Sequence, residues 1–449
     1  MKKYREIVVL GAAESGTGAA VLARKKGLKV FVSDNGTIKP EYKSVLTHFD
    51  IEFEEGGHDL QRVLSAEEII KSPGIPDTVP LITEAHKKGI PVISEIEFAA
   101  RYTTARMICI TGSNGKTTTT LLTGHILKTA GIDVGIVGNV GKSLAMQVAE
   151  DDKEVYVIEL SSFQLDNMYN FKADIAVLLN ITPDHLDRYD NKFDNYVQSK
   201  FRILQNQTKN EVLIFNADDP VITGELAKRK PEMSLFPFSL KPLDTENGAF
   251  IEENKIIIKQ QHKKTFDMTL EQLALQGRHN VYNSMAAGVA AKLMEIRKET
   301  IKQCLSDFQN IAHRLEYVGS VHGIRFINDS KATNVNSTWY ALESMPEGIV
   351  WIAGGIDKGN DYGQIKPLVK EKVKAIVCLG TDNEKLHREF GDDVEMIVDT
   401  HSAEEAVMAA YQLAQKGETV LLSPACASFD LFENYEDRGN QFKAAVKNL

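Results

Sequence analysis

Residues 107–118 read Met107-Ile-Cys-Ile-Thr-Gly-Ser-Asn-Gly-Lys-Thr-Thr118. An apolar run of strand character runs into Gly112 and Gly115, then Lys116, and a helical pattern follows over 119–130. Strand, glycine loop and helix in that order build a phosphate cradle. Glycines let backbone N–H groups turn toward phosphate oxygens, and the helix start adds partial positive charge. In such a loop Lys116 reaches the β- and γ-phosphates, and the Thr117 hydroxyl is placed for Mg²⁺. The leading glycine of the general pattern is missing, since Ile110 and Thr111 stand there, so this is not the commonest nucleotide loop. A plain glycine turn is the bland alternative, and the Gly-Lys-Thr on a strand–loop–helix frame weighs against it.

Outward from this loop the same grammar repeats. Ile7–Leu10, Lys29–Val32, Val155–Leu160, Ile175–Leu179, Ile349–Ala353, Ala375–Leu379 and Thr419–Leu422 are short apolar runs, most followed by Gly, Ser, Thr or Asn and a helical stretch. Continuous apolar strands of this length suit parallel sheets covered on both faces. The expectation is α/β architecture in three domains, 1–99, 100–312 and 313–449. The stretch 241–264 reads as an irregular or hairpin excursion, with alternation over Lys255–Lys259.

The 449 residues carry a net charge of −10, with 43% apolar and 25% charged residues. A non-specific nucleic-acid binder needs a basic excess, so that class is disfavoured. Cys109, Cys304, Cys378 and Cys426 are far apart and form no CxxC pair, which argues against a disulfide scaffold or a cysteine zinc site. Three of them, Cys109, Cys378 and Cys426, read as core. No stretch approaches a membrane span, and the opening apolar run is too short for a signal segment. The expectation is a cytoplasmic protein.

Glu159 closes an apolar strand, where the side chain points into the crevice at the strand's carboxyl end. The next strand leads into Asn180-Ile-Thr-Pro-Asp-His185-Leu-Asp187, which puts His185 beyond a neighbouring strand end. Both are competent divalent-metal ligands beside a phosphate loop. Taken singly, Glu159 reads as a cap and His185 as a loop histidine. Lys200 sits in a stripe formed by Phe193, Tyr196, Val197, Phe201 and Leu204. From pattern alone the reading is a snorkelling lysine with its amine in water. The sharper alternative is a desolvated amine that reacts with CO₂ to give a carbamate ligand.

At this point the residues resemble a known family. TGSNGKTT, Glu159-Leu-Ser-Ser-Phe-Gln, NITPDHLDR, Lys200, Gly277-Arg-His-Asn280, Ala312-His-Arg314, Asn328-Asp-Ser-Lys-Ala-Thr-Asn334 and Leu422-Ser-Pro-Ala-Cys-Ala-Ser428 look like the Mur ligases, over essentially the whole chain. The last two motifs most resemble the member that adds D-glutamate to UDP-N-acetylmuramoyl-L-alanine. The resemblance implies an N-terminal Rossmann-like UDP-binding domain, a central P-loop ATPase domain with a mostly parallel sheet, and a C-terminal Rossmann-like domain. It implies ATP and Mg²⁺, two ions, with Mn²⁺ as an alternative, and amide formation through an acyl phosphate in peptidoglycan precursor synthesis by a monomer. It implies catalytic roles for Lys116, Glu159, His185 and Lys200, with Gly112, Ser113, Asn114, Gly115, Lys116, Thr117, Thr118, Asn280, Asn283, Arg314 and Asp329 on ATP. Metal ligands are then Thr117, Glu159, His185 and a carbamylated Lys200, which reverses the pattern-only reading of that lysine. Lys331, Thr333, Lys358, Ser428, Phe429 and Tyr435 match the positions that recognise D-glutamate.

Gly11-Ala-Ala-Glu-Ser-Gly16 follows the first strand and resembles a dinucleotide fingerprint, the mark of a nicotinamide enzyme. Ala13 replaces the glycine needed for close approach to a pyrophosphate, and Glu14 adds negative charge, so both argue against that use. By resemblance Glu14, Ser15, Asn35, Gly36, Ser72, Pro73 and Gly74 hold the UDP moiety, with Asn139 and His185 on the sugar-nucleotide. A switch ATPase is a further class, disfavoured because 313–449 carries its own strand-end cluster.

Overall fold

The computed structural model describes residues 6–275, 277–308, 312–357 and 359–449. It divides into two compact units, Met1–Leu273 with Val281–Asp307, and Ala274–Asn280 with Phe308–Leu449. Three sheets organise them, and many of the residues singled out above lie in the loops at the strands' carboxyl ends, with Lys200, Asn280, Asn283 and Tyr435 on helices.

The first sheet holds β1 (Ile7–Leu10), β2 (Val30–Asp34), β3 (Glu52–Glu55), β4 (Glu68–Lys71) and β5 (Val92–Ile93) in the order β3-β2-β1-β4-β5. Every pairing is parallel. The central strand β1 is buried along its length, because helices cover both faces. Order reverses between β1 and β4, so a crevice opens outside their carboxyl ends.

The second sheet comprises β6 (Arg106–Thr111), β7 (Val134–Gly138), β8 (Val155–Glu159), β9 (Ile175–Leu178), β10 (Val212–Asn216), β11 (Ser234–Ser239), β12 (Gly248–Glu252), β13 (Lys255–Gln260) and β14 (Lys263–Thr269). Its order is β14-β13-β12-β11-β10-β9-β6-β8-β7, parallel from β7 to β12 and antiparallel through β13 and β14. The 241–264 excursion is therefore hairpin. Glu253 and Asn254 both take positive φ (47° and 61°), the signature of a two-residue turn that matches strand twist. The expected alternation in β13 is absent: Ile256, Ile257 and Ile258 are all buried, since this strand is covered on both faces.

The third sheet belongs to the second unit. It runs β15 (Glu316–Val321), β16 (Ile324–Asn328), β20 (Thr419–Ala425), β17 (Ile349–Gly354), β18 (Val373–Leu379) and β19 (Met396–Thr400). Among the described strands of this sheet only the β15–β16 pair is antiparallel. Trp351, fully buried on β17, donates its indole N–H to Ser423 O at 2.7 Å and locks β17 to β20 beneath the site loops. All four cysteines are buried and free. No helix among the described residues is long and apolar enough to cross a membrane.

Candidate functional site

The loop after β6 is held open by its own glycines. Gly115 has φ 83°, and a Cβ there would lie 2.4 Å from Asn283 Oδ1, so only glycine fits. The helix Lys116–Thr129 starts directly on it, without a side-chain cap. Side chains from the loop after β9 fix the outer wall. Asn114 N–H donates to Asn180 Oδ1 at 2.8 Å, and Asn180 Nδ2 returns a bond to Asn114 O at 3.0 Å. Ser113 Oγ donates to Thr182 O at 2.8 Å. Lys116 curls back over the loop, its Nζ donating to Gly112 O and Ser113 O, both at 2.9 Å. Thr117 and Thr118 are buried at the helix start. Thr119 Oγ1 donates to Asn283 Oδ1 at 3.2 Å, which brings Asn283 to the start of the helix behind the loop.

Glu159 ends β8 with 1% exposure, and its Oε1 accepts from Asn139 Nδ2 at 2.9 Å. His185 takes a left-handed backbone (φ 51°), an uncommon state for a non-glycine residue, and packs edge-on against Phe163. Lys200 is not a snorkelling lysine. Its side chain is buried, and Nζ donates to Gly112 O at 2.9 Å and to Thr111 Oγ1 at 3.4 Å. The amine enters the crevice because strand-end carbonyls receive it there. Burial pushes the Lys200 amine well below its ordinary pKa, and the charge of Lys116 pushes the same way against Asp184, Glu159 and Asp166. An amine that loses its proton this readily is nucleophilic.

One buried carboxylate, one hydroxyl and one imidazole beside a phosphate loop are donor chemistry that a divalent cation accepts. No group of three His, Cys, Asp or Glu ligand atoms stands ready here among the described residues. Such groups occur at His125–Cys304–Asp307 and Cys378–His387–Asp399 instead.

In the first sheet the loops after β1, β2 and β4 converge. A Cβ on Gly11 (φ 89°) would lie 2.5 Å from Ser72 Oγ, and Ser15 Oγ stands 3.5 Å from the same atom. Asp34 accepts from Ala12 N–H at 2.7 Å and from Gly36 N–H at 2.8 Å, which sets the turn carrying Asn35. Glu14 sends its carboxylate to Ser143 N–H at 3.1 Å. Two residues here escaped the sequence reading. Arg188 lies over the Phe163 ring and donates to Gly74 O at 3.3 Å, tying the loop Ser72-Pro73-Gly74 to the His185 segment. Lys71, at the end of β4, is buried with Nζ 3.1 Å from Asp77.

In the second unit the loops after β16, β17 and β20 converge. Asp329 accepts from Ser423 Oγ at 2.8 Å and from Leu315 N–H at 3.2 Å. Burial raises its carboxyl to about 7, against the pull of Ser423 and then of Arg314's charge. Lys331 Nζ lies 5.0 Å from the Tyr435 ring centre, and Thr333 follows within the same loop. Ser428 is buried, whereas Phe429 beside it is 67% exposed. Ile356 and Ala427 exchange backbone bonds, joining the loops after β17 and β20. Lys358 lies outside the described residues. Asn280 is buried at the start of the helix Arg278–Leu293.

The sequence reading also missed Arg438. It is 1% exposed and donates to Ser330 Oγ (3.0 Å), Ser330 O (2.9 Å), Cys426 O (3.2 Å) and Gly354 O (3.4 Å). One guanidinium thereby ties together all three loops. Burial lowers it to about 10. Its sequence signal was a cation on the stripe of Phe442, Ala445 and Val446.

Residues 110–291 match the Mur ligase middle domain, 313–426 the Mur ligase glutamate ligase domain, and 7–79 the MurD N-terminal domain. A Bacteroides fragilis protein named UDP-N-acetylmuramoylalanine--D-glutamate ligase is 59% identical over 448 residues, covering 99% of this chain and 100% of its own. A Porphyromonas gingivalis protein of the same name is 56% identical over 447 residues, covering 100% and 99%. Among solved structures, the UDP-N-acetylmuramate-alanine ligase MurC from Thermotoga maritima superposes with TM-score 0.63 at 16% identity, 99% of each chain covered. A pseudomurein peptide ligase type C from Methanothermus fervidus gives 0.61 at 20%, again over 99% of each. At those identities the structures speak for the three-domain fold alone.

Proposed function

The chain belongs to the Mur ligase family, and on that premise we propose that it forms an amide between UDP-N-acetylmuramoyl-L-alanine and D-glutamate at the expense of ATP, in peptidoglycan precursor synthesis. The observation that carries the reading is likeness over the full length to relatives bearing that activity's name, at 52–59% identity in several of them.

In this reading the γ-phosphoryl group passes to the alanyl carboxylate, giving an acyl phosphate and ADP. The D-glutamate amine attacks that carbonyl, and the tetrahedral adduct collapses with loss of phosphate and a proton. Such chemistry needs alignment and charge stabilisation more than a protein nucleophile. The loop Gly112–Thr118 cradles the phosphates, with Lys116 on the transferred group and Asn280, Asn283, Arg314 and Asp329 on the nucleotide. Thr117, Glu159, His185 and Lys200 would hold Mg²⁺ (two ions, or Mn²⁺), which supplies charge neutralisation at the phosphates when bound. The buried, proton-poor Lys200 amine supports its carbamylation, since a neutral amine adds to CO₂ and the product is an anionic oxygen ligand. Ser15, Asn35, Gly36, Ser72, Pro73, Gly74 and Asn139 take the UDP-sugar, in a loop that also contains Glu14. Lys331, Thr333, Lys358, Ser428, Phe429 and Tyr435 take D-glutamate, where cations and N–H groups suit a dicarboxylate. We take the domains as 1–99, 100–312 and 313–449, and the protein as a cytoplasmic monomer.

The test is phosphate release with ATP, Mg²⁺ and UDP-N-acetylmuramoyl-L-alanine, comparing D-glutamate with L-glutamate, L-alanine and meso-diaminopimelate. Release with D-glutamate alone, and the matching mass gain on the nucleotide, is the expected result. Release with another amino acid moves the specificity; release independent of any amino acid overturns the ligase reading.

A further inference from the structure

We propose that Glu14, the acidic residue in the first glycine loop, is a positioning residue that clamps the 138–143 loop and so holds Asn139 against Glu159, rather than a contact to the nucleotide diphosphate. The inference rests on the ligase reading above for its kinetic consequence and on geometry for the clamp itself.

Three contacts along one face of the helix Glu14–Lys25 carry it. At its start, Glu14 Oε1 accepts from Ser143 N–H at 3.1 Å. One turn on, Gly18 leaves room for the helix Leu144–Glu150: a Cβ there would lie 2.1 Å from Ser143 Oγ and 3.0 Å from Met146 N. At its end, Lys25 Nζ donates to Ala149 O at 2.8 Å. The spacing 14, 18, 25 is one helical face. The two helices run parallel. The glutamate meets the partner's N–H end and the lysine its carbonyl end, so both charges oppose both helix dipoles. A second acidic side chain, the buried Glu95, accepts from Ala145 N–H at the same helix start through its carboxyl oxygen.

The clamped segment leads directly to the candidate metal site. Ser143 Oγ caps its own helix by accepting from Met146 N–H at 3.3 Å. Lys142 O accepts from Gly138 N–H at 3.1 Å and closes the loop on itself. Asn139 then bonds Glu159 twice, N–H to Glu159 O at 3.0 Å and Nδ2 to Oε1 at 2.9 Å. Removing the Glu14 acceptor frees the anchored end of this loop. It leaves the backbone N–H groups of 13–16 in place for a diphosphate, those of Gly11 and Ala12 being given to Ser33 O and Asp34.

The experiment compares wild type with Glu14→Ala and Glu14→Gln, the latter keeping a carbonyl acceptor at the same reach. Three quantities are read: UDP affinity by calorimetry, kcat and KM for ligation, and amide exchange over 138–147. For Glu14→Ala we expect exchange faster by about tenfold and kcat lower by about tenfold, the loss of one charge-assisted bond, with UDP affinity within about twofold of wild type. Glu14→Gln should recover most of both losses, and Glu14→Ala should add little to an Asn139→Ala background, since both act on one contact. A severalfold change in UDP affinity in either direction overturns the proposal by placing Glu14 at the diphosphate. Unchanged exchange and kcat in Glu14→Ala overturn it equally. If wild type fails to ligate D-glutamate, the functional reading falls, and the exchange arm still decides the clamp.

Discussion

Glu95→Gln is the substitution whose effect can be worked furthest. Glu95 is 3% exposed, and burial raises its carboxyl from an ordinary 4.5 to about 8, with the Ala145 N–H pulling the other way and Glu14's charge adding to the rise. The folded state therefore keeps a proton that the unfolded chain loses near pH 4.5. For a group raised in the fold, the stability it contributes is full below pH 4.5 and is lost as pH climbs to about 8. At about 1.4 kcal/mol per pH unit the full swing approaches 5 kcal/mol as a ceiling. Glutamine keeps the acceptor for Ala145 and cannot ionise, so the variant should lack this slope. Between pH 5.5 and pH 8.5 about two-thirds of that swing is sampled, worth roughly 7 °C in transition temperature for a unit of this size. The measurement is calorimetric unfolding of both proteins at pH 5.5 and pH 8.5. Trp339 and Trp351 lie in the other unit, so their fluorescence identifies which transition to set aside. The gap between variant and wild type should open in the variant's favour at the higher pH. Two curves shifting in parallel would refute a buried, protonated Glu95.

Lys200→Met should abolish ligation yet leave the transition temperature equal or higher, because a desolvated amine gives way to an apolar chain of similar volume; in Lys200→Ala, bicarbonate or a short carboxylate should restore part of the phosphate release, and full activity without addition would sink the carbamate role. Gly115→Ala forces a Cβ to 2.4 Å from Asn283 Oδ1 at a left-handed position, and should cost about 1–3 kcal/mol and eliminate ATP binding measured by calorimetry. Arg438→Met strands three buried carbonyls and should lower stability of the second unit by about 2–5 kcal/mol, read from the tryptophan-monitored urea midpoint; an unchanged midpoint would show that the loops hold without it.

Much of this was legible in the sequence, for identifiable reasons. Strands such as Ile7–Leu10 and Val155–Glu159 are buried on both faces, so they appear as uninterrupted apolar runs. Strand β3, Glu-Phe-Glu-Glu, escaped notice because it is an edge, where solvent tolerates charge and the apolar run disappears. Phosphate-loop residues could be placed because loop, strand and helix are contiguous in the chain. Lys200 and Arg438 show the opposite case. Each is a cation on an apolar helical stripe, and the helical pattern by itself points to snorkelling. What buries them is a set of carbonyls from strand ends distant in sequence, and periodicity carries no trace of those partners. Glu14 was similarly opaque: its partner, Ser143, is 129 positions away.

The hairpin that extends the second sheet ends on β14, and this has a bearing on behaviour at high concentration. An outermost strand offers unpaired backbone groups to any neighbouring chain, and a long apolar edge would nucleate intermolecular pairing. Here the strand turns Phe266 and Met268 inward and opens with the exposed pair Lys263 and Lys264. Two adjacent ammonium groups repel an identical edge arriving in register, so these lysines act as gatekeepers of solubility, and neutralising them would lower the concentration at which the protein self-associates.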